Sequence, residues 1–403
     1  MRMHRQYDYD VIVVGAGPAG AAAAYPLARE GWHVALLERS VRPGHAAVCG
    51  GMISRSSIER FDAHDAVEKA MSRELHLLPW GIIENETEQC TVRREVFDAL
   101  LAGRAERAGA ELLTRTPAVG VQHTPDGGVE VAVRGDNTAP RTLVARGLIL
   151  ADGPHTLARH LGLGYSLGGR VTAFGLTYEI AWPDHEMDHY EIFFGRDIAR
   201  WGYAWIFPYR DRLNVGLGCI QTEMTRRDLK ADLLQLIRFH PRMADRLRHR
   251  PIMSRRGGWI PLDPTRRMVG PATLVAGDAA GLVHPLLAAG LDNALQSGDL
   301  AGRVMARALR ANDLSGSFLA RYQNEWEATA ASRLMRVESR LAAVAEHLSH
   351  LDGNMLAKVI QLALLGDKLT WKGKFQALAY PLLGTPARMP NVDPHAKARG
   401  RIT

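Results

Sequence analysis

Residues 10–20 read Asp10-Val-Ile-Val-Val-Gly15-Ala-Gly17-Pro18-Ala19-Gly20, and the fold is decided there. Tyr9 to Val14 is β-branched and largely apolar, the composition of a strand buried on both faces. A Gly-x-Gly-x-x-Gly turn follows, then an Ala-rich helix predicted from about Pro18 to Glu30, then a strand from His33 to Glu38. Gly15 permits a tight turn, Gly17 lets backbone approach a pyrophosphate, and Gly20 lets helix and strand pack closely. The helix start, which follows Pro18 with Ala19, offers free N–H groups from Ala19 onward and a partial positive charge to phosphate oxygens. Glu38 is placed to accept hydrogen bonds from ribose hydroxyls and to repel a 2′-phosphate.

The glycine turn by itself does not separate NAD from FAD. The passage Thr273-Leu-Val-Ala-Gly277-Asp278-Ala-Ala-Gly281 is a second buried strand running into a turn. Pro285 follows, and a helix is predicted from about Gly290, with Leu291 in its first turn. An aspartate at such a strand end suits ribityl hydroxyls, and the helix start beyond it suits the flavin pyrimidine edge. Two nucleotide-facing turns so far apart in one chain call for a long cofactor lying between them. The expected cofactor is FAD.

The rest of the chain is consistent with an ordinary globular protein of two to three domains. Its 403 residues are 46% hydrophobic and 23% charged, which excludes a disordered, collagen-like or coiled-coil chain. The net charge of +7 is dispersed rather than blocked, so no nucleic-acid footprint is expected. Cys49, Cys90 and Cys219 form no C-x-x-C pair, which excludes a disulfide framework or a four-thiolate cluster and suits a reducing, cytoplasmic setting. Arg2 and Arg5 before the Ala-rich run imitate a secretory leader, but Asp8 and Asp10 interrupt it. No charge-free apolar run reaches the ~20 residues of a membrane span.

Further along, apolar spacing predicts a helix over 91–108 and short strands from 111 to Ala151, ending at Asp152-Gly153. Strands are predicted at 171–181, 189–194, 202–208 and 212–220, with a helix near 226–239 and helices from about 313. The expected architecture is α/β: a GxGxxG Rossmann-like FAD-binding domain, an inserted antiparallel β-sheet substrate domain, and a C-terminal helical region. The expected boundaries are 1–165 and 263–312 for the FAD-binding domain, 166–262 for the substrate domain and 313–403 for the helical region.

Gly15–Gly20, Glu38-Arg39, the helix carrying Arg94, Phe97, Asp98 and Leu101, Ala151-Asp152-Gly153 with Arg159, and Gly277-Asp278 with Pro285 and Gly290 recur as a set. In that combination the chain resembles the FAD proteins that include aromatic hydroxylases, flavin halogenases and geranylgeranyl reductases. Two further segments resemble the geranylgeranyl reductases in particular: Val48-Cys49-Gly50-Gly51-Met52-Ile53-Ser54, and Tyr203-x-Trp205-x-Phe207-Pro208. Three positions depart from that family's usual pattern. Arg200 stands where a Pro is usual, Ala47 and Val48 stand where a Lys is usual, and Leu286-Leu287-Ala288-Ala289 replaces a Gly-rich turn.

The resemblance implies an FAD-dependent reductase that saturates C=C bonds of an isoprenoid or lipid chain. The alternative is a flavin monooxygenase or halogenase acting on an aromatic ring. The electron donor is open between NADPH, ferredoxin and a reduced flavin or deazaflavin. An isolated alkene needs a proton at one carbon as hydride reaches the other. A thiol of ordinary pKa, about 8.5, is mostly protonated at pH 7, so Cys49 is a candidate acid, against the plainer reading of a buried free cysteine. His284, before Pro285, is the second candidate. Cofactor contacts are expected at Gly15, Gly17, Pro18, Ala19, Gly20, Glu38, Arg39, Cys49, Gly50, Arg94, Gly277, Asp278, Pro285, Gly290 and Leu291. Arg94 could instead lie on a solvated helix face.

Tyr203, Trp205 and Phe207 alternate along a strand and so share one face. They wall an apolar cavity over the flavin if the resemblance holds, or pack against a helix layer if it does not. The polar clusters Asp184-His185-Glu186 with Asp188-His189, and His347 with His350, match no metal motif and read as surface. Residues 355–384, apolar with interspersed Lys, suit either a peripheral membrane contact or a capping helix.

Overall fold

The computed structural model describes residues 7–135, 140–165, 172–224, 228–264, 267–348 and 353–365. They fall into two compact units, each assembled from three stretches of chain. The first comprises Met1–Glu68, Cys90–Ala173 and Trp259–Arg336; the second comprises Lys69–Gln89, Phe174–Gly258 and Val337–Thr403.

The first unit is built on a sheet whose spine is parallel. Tyr9–Val14 lies between Val34–Leu37 and Arg141–Leu150; Thr273–Val275 adds beyond Arg141–Leu150, and Glu111–Leu113 beyond Val34–Leu37. Ala118–His123 and Val129–Val133 extend Arg141–Leu150 as an antiparallel ladder. The central strands are apolar on both faces because helices cover them, as expected of a buried parallel sheet. Register sets the functional edge. Val14 pairs with Leu37 and Leu150, and Leu150 with Val275, so the residues after each strand emerge in one row at its carboxyl end.

Helices Pro18–Arg29 and Leu291–Arg310 pack against each other through small residues. A Cβ on Gly298 would sit 2.0 Å from the Ala19 carbonyl oxygen, and one on Gly302 would sit 2.2 Å from that of Ala23. Pairs four residues apart on each helix thus form one interlocking stripe. Tyr322, buried in helix Gly316–Glu327, donates to the Val275 carbonyl at 3.0 Å and fixes the last parallel strand. The turn before Leu291 closes on itself: Ala288 N–H donates to the His284 carbonyl and His284 N–H to that of Ala289. Ala288 adopts φ +53°, a left-handed conformation in which a side chain is strained.

The second unit has a seven-stranded sheet, in order Ile252–Pro261, Thr172–Ala181, Arg212–Ile220, Ala199–Pro208, His189–Gly195, Arg73–Leu78 and Gly81–Glu86. Among the pairs whose register is described it is antiparallel, apart from His189–Gly195 against Arg73–Leu78. Helices Leu229–Phe239 and Pro241–Leu247 cover one face, over Phe193, Ala204, Ile206, Val215 and Leu217.

Two expected boundaries are corrected. The block 1–165 is interrupted, because strands Arg73–Leu78 and Gly81–Glu86 complete the edge of the second sheet rather than the first. The helical region from 313 is not a separate body: helix Gly316–Glu327 belongs to the first unit, while Met355–Leu365 belongs to the second. Most of the 355–384 stretch, including Lys368, Lys372 and Lys374, lies outside the described residues.

Two substitutions test these packing statements by chemical denaturation. Gly302→Val should destabilise the protein by about 2–3 kcal/mol, since the Ala23 backbone cannot yield to a side chain. Ala288→Gly should stabilise it by about 0.5–1 kcal/mol, the left-handed strain relieved less the entropy that glycine adds to the unfolded chain. A neutral Gly302→Val, or a destabilising Ala288→Gly, contradicts the corresponding geometry.

Candidate functional site

The row at the carboxyl edge of the first sheet is where ligands bind in open α/β folds. Gly15 comes first, with φ +97° and only 2.4 Å between the position of a Cβ and the Ala151 carbonyl oxygen. A Cβ on Gly20 would lie 1.8 Å from the Gly15 carbonyl oxygen. Gly17 differs: nothing approaches its Cβ position closer than the Arg94 guanidinium, at 3.7 Å. Two glycines are thus demanded by the chain's own packing, and the middle one leaves room for a ligand. Pro18 opens the helix, and no side chain caps it at Gly17, so its first N–H groups are left to an anion.

Glu38 is buried where its strand ends. Its N–H donates to the Leu113 carbonyl, and its carboxylate accepts the Ser40 N–H at 2.8 Å. That orientation suits a ribose diol. Arg39 beside it is exposed.

Arg94 does not lie on a solvated face. It grips the buried Asp98 one turn along its helix with two hydrogen bonds, of 2.7 and 2.8 Å. Burial opposes the positive charge, but Asp98 outweighs it and holds the guanidinium above its ordinary pKa. Cys49 and Asp278, distant in sequence, contribute to the field at Arg94 as well. Burial raises the Asp278 carboxyl above its usual range, with Arg94 opposing. The first unit therefore gathers Gly17, Cys49, Arg94 and Asp278 from four separate segments.

The Cys49 segment is pinned at both ends. Cys49 Sγ accepts the Gly51 N–H at 3.3 Å, and Val92 N–H donates to the Gly51 carbonyl. Ser54 caps helix Arg55–Arg60, and its hydroxyl donates to Asp292 at 2.5 Å, tying the segment to the start of helix Leu291–Arg310. Cys49 and Gly50 are half-buried.

At the second turn, a Cβ on Gly277 would lie 2.9 Å from that of Ala19, so the two turns abut. Gly290 precedes Leu291, and no side chain caps that helix either. The Asp278 carboxylate lies 3.4 Å from the Cβ position of Gly290. His284 and Pro285 are half-buried and Leu291 is buried. Two uncapped helix starts, an open glycine and two carboxylates on one edge fit a dinucleotide of FAD's length and charge.

Some parts of this site were not anticipated. The partner of Arg94 is Asp98, which the i,i+4 spacing could have revealed. Asp152 accepts the Leu157 N–H at 2.7 Å and so shapes its strand end, while its second oxygen is buried without a partner among the described residues. Arg159 is exposed and donates locally, to the Thr156 carbonyl.

In the second unit, Tyr203, Trp205 and Phe207 share one sheet face, with neighbouring centroids 5.8 and 6.0 Å apart. Helices Leu229–Phe239 and Pro241–Leu247 cover the opposite face, so the aromatic line is not packing for them. Trp205 Nε1 donates to Asn214 at 2.8 Å, and its ring occupies the space a Cβ on Gly216 would need. The Asp184–His189 cluster makes internal contacts rather than lying free on the surface. His185 is buried against the Tyr209 carbonyl, and His189 lies between Asp188 and the fully buried Glu191. His347 is exposed, and His350 lies outside the described residues.

Comparison with known proteins adds the family. The profile described as FAD dependent oxidoreductase matches residues 10–203, and that of the geranylgeranyl reductase catalytic domain matches 172–258. A digeranylgeranylglycerophospholipid reductase of Methanopyrus kandleri is 32% identical over 370 residues, covering 88% of this chain and 90% of that protein. Another, of Methanocaldococcus jannaschii, is 31% identical over 88% of this chain and 94% of its own length. The crystal structure of a geranylgeranyl bacteriochlorophyll reductase-like protein from Thermoplasma acidophilum superposes with a TM-score of 0.79 at 25% identity, covering 92% of this chain and 96% of that one. The flavin-dependent halogenase CmlS shares the fold at a TM-score of 0.65 and 21% identity, over 80% and 62% of the two chains. With its two nucleotide turns, its Cys-Gly-Gly segment and its aromatic sheet, this chain belongs to the geranylgeranyl reductase family of FAD-dependent oxidoreductases.

Proposed function

We propose that the protein saturates C=C bonds in an isoprenoid chain carried by a lipid, the substrate class that the names of its relatives print. The observation that carries this reading is the placement of Cys49, in the same unit as both nucleotide turns and within the field of Arg94. FAD, when bound, supplies the hydride. Cys49 holds the matching proton at Sγ, where the Gly51 N–H donates to the sulfur and orients it. His284 is the reserve proton source.

Tyr203, Trp205 and Phe207 form the surface against which the hydrocarbon lies, with Trp205 locked by Asn214 so that little side-chain freedom is lost on binding. Gly15, Gly17, Pro18, Ala19 and Gly20 receive the pyrophosphate, Glu38 and Arg39 the adenosine side, and Gly277, Asp278, Pro285, Gly290 and Leu291 the flavin side. Arg94 and Gly50 complete that lining. No described helix is long and apolar enough to cross a membrane. The donor is a nicotinamide, a ferredoxin or a reduced flavin, and anaerobic reduction by each in turn distinguishes them.

Cys49→Ser should keep FAD and its reduction by dithionite, but slow anaerobic reoxidation by a geranylgeranyl substrate by about 10²–10⁴-fold. Stopped-flow absorbance reads this directly, and equal rates in both proteins would pass the role to His284. If even the wild type is reoxidised only by oxygen with an aromatic substrate, the reductase reading fails. Glu38→Arg should lower flavin retention on dialysis; undiminished retention would remove Glu38 from the site.

A further inference from the structure

The sheet face that carries the aromatic line also carries a histidine that no bond explains. His76 pairs in register with Ile192, Ile192 with Trp205, and Trp205 with Gly216, so the four form one row across the sheet. Their side chains point to the same side, and His76 lies about 10 Å from Trp205, two strand spacings away. Its ring stacks on Phe194, with centroids 6.1 Å apart, and meets the edge of Tyr190 at 6.2 Å. It is 1% exposed, and its Nδ1 is buried with no hydrogen-bond partner among the described residues.

The neighbouring polar groups are satisfied. Trp205 Nε1 and the Thr177 hydroxyl both donate to Asn214, and the Tyr190 hydroxyl and Asn85 both donate to Glu74. Leaving a buried imidazole nitrogen unmatched is costly, and an apolar side chain of similar shape would avoid that cost. No described residue supplies the missing partner, which leaves the position open to a ligand. Its chemistry is limited by charge. Burial keeps the imidazole neutral, lowering its pKa against the pull of Glu74, and the Glu74 carboxylate stands 3.9 Å from Nδ1. A neutral imidazole beside a carboxylate repels an anion, yet can exchange a hydrogen bond with an uncharged oxygen.

We infer that His76 determines substrate specificity by hydrogen-bonding an uncharged oxygen joined to the isoprenoid chain, as in an alcohol or ether, and that with Glu74 it excludes a prenyl diphosphate. This rests on the isoprenoid reading above and deepens it. The distance from His76 to Trp205 then becomes the offset between the polar end and the part of the chain lying on the aromatic line.

The test is equilibrium binding to the oxidised holoprotein, by calorimetry at fixed detergent, so that turnover plays no part. Three ligands are compared: geranylgeraniol, the same tetraene lacking the hydroxyl, and geranylgeranyl diphosphate. The wild type should bind the alcohol about 5- to 100-fold more tightly than the hydrocarbon, and more tightly than the diphosphate. His76→Phe should bind alcohol and hydrocarbon alike, with hydrocarbon affinity retained. Glu74→Gln keeps the Tyr190 contact but removes the charge, and should raise diphosphate affinity severalfold. This second arm stands even if His76→Phe does not fold. Retention of the alcohol preference in His76→Phe, diphosphate as the tightest ligand of the wild type, or unchanged diphosphate affinity in Glu74→Gln each overturns the inference. If all three ligands bind without this pattern, the role of His76 alone fails; if none binds, the isoprenoid reading falls with it.

Discussion

The close contact between helices Pro18–Arg29 and Leu291–Arg310 is the constraint on which the first unit depends. Ala19 and Ala23 present bare backbone to Gly298 and Gly302, and the Cβ positions of the two glycines fall about 2 Å from carbonyl oxygens. No larger residue fits without parting the helices. That contact brings the Gly277 turn against Ala19, although the segments are remote in the chain. Without it there would be two unrelated turns. With it there is one edge long enough for an extended dinucleotide.

The same edge shows where anion binding comes from. Arg94 is the cation nearest Gly17, but its Nε and Nη2 both donate to Asp98, whose carboxylate offsets the guanidinium charge, so the pair is close to neutral as a whole. The guanidinium is rigidly held and contributes shape as much as charge. Attraction for a pyrophosphate therefore falls chiefly on the uncapped helix starts, at Gly17 and Gly290. Those are backbone features, which explains why glycine and proline, rather than lysine and arginine, mark them in sequence.

Much of the first unit was legible because its signals are local. A buried parallel strand, a glycine turn and an alanine helix each declare themselves within a dozen residues, and the observed Tyr9–Val14, Pro18–Arg29 and Val34–Leu37 follow them closely. Alternation likewise placed Tyr203, Trp205 and Phe207 on one face. The failures are non-local. Residues 69–89 carry no strong period, and Arg73–Leu78 acquires its place from parallel pairing with a strand over a hundred residues later. The bond between Ser54 and Asp292, and the lone Nδ1 of His76, are likewise products of tertiary placement that no short window of sequence contains. Ala288 is a different case: its departure from a glycine-rich pattern was visible, but its cost became apparent only from φ +53°.

The interleaving of the two units has a consequence for synthesis on the ribosome. The first unit's sheet lacks its Thr273–Val275 strand until the whole of the second sheet has been made, and the second sheet holds Arg73–Leu78 in waiting until His189–Gly195 emerges. At the 5–20 residues per second typical of translation, that wait is on the order of ten seconds. Throughout it the nascent chain presents strand edges with nothing to pair with, a condition that favours aggregation. The protein should thus depend on chaperones that shield nascent chains more heavily than a sequentially folded protein of equal length. Its yield in a heterologous host should track translation speed through residues 90–190 more than the stability of the finished fold.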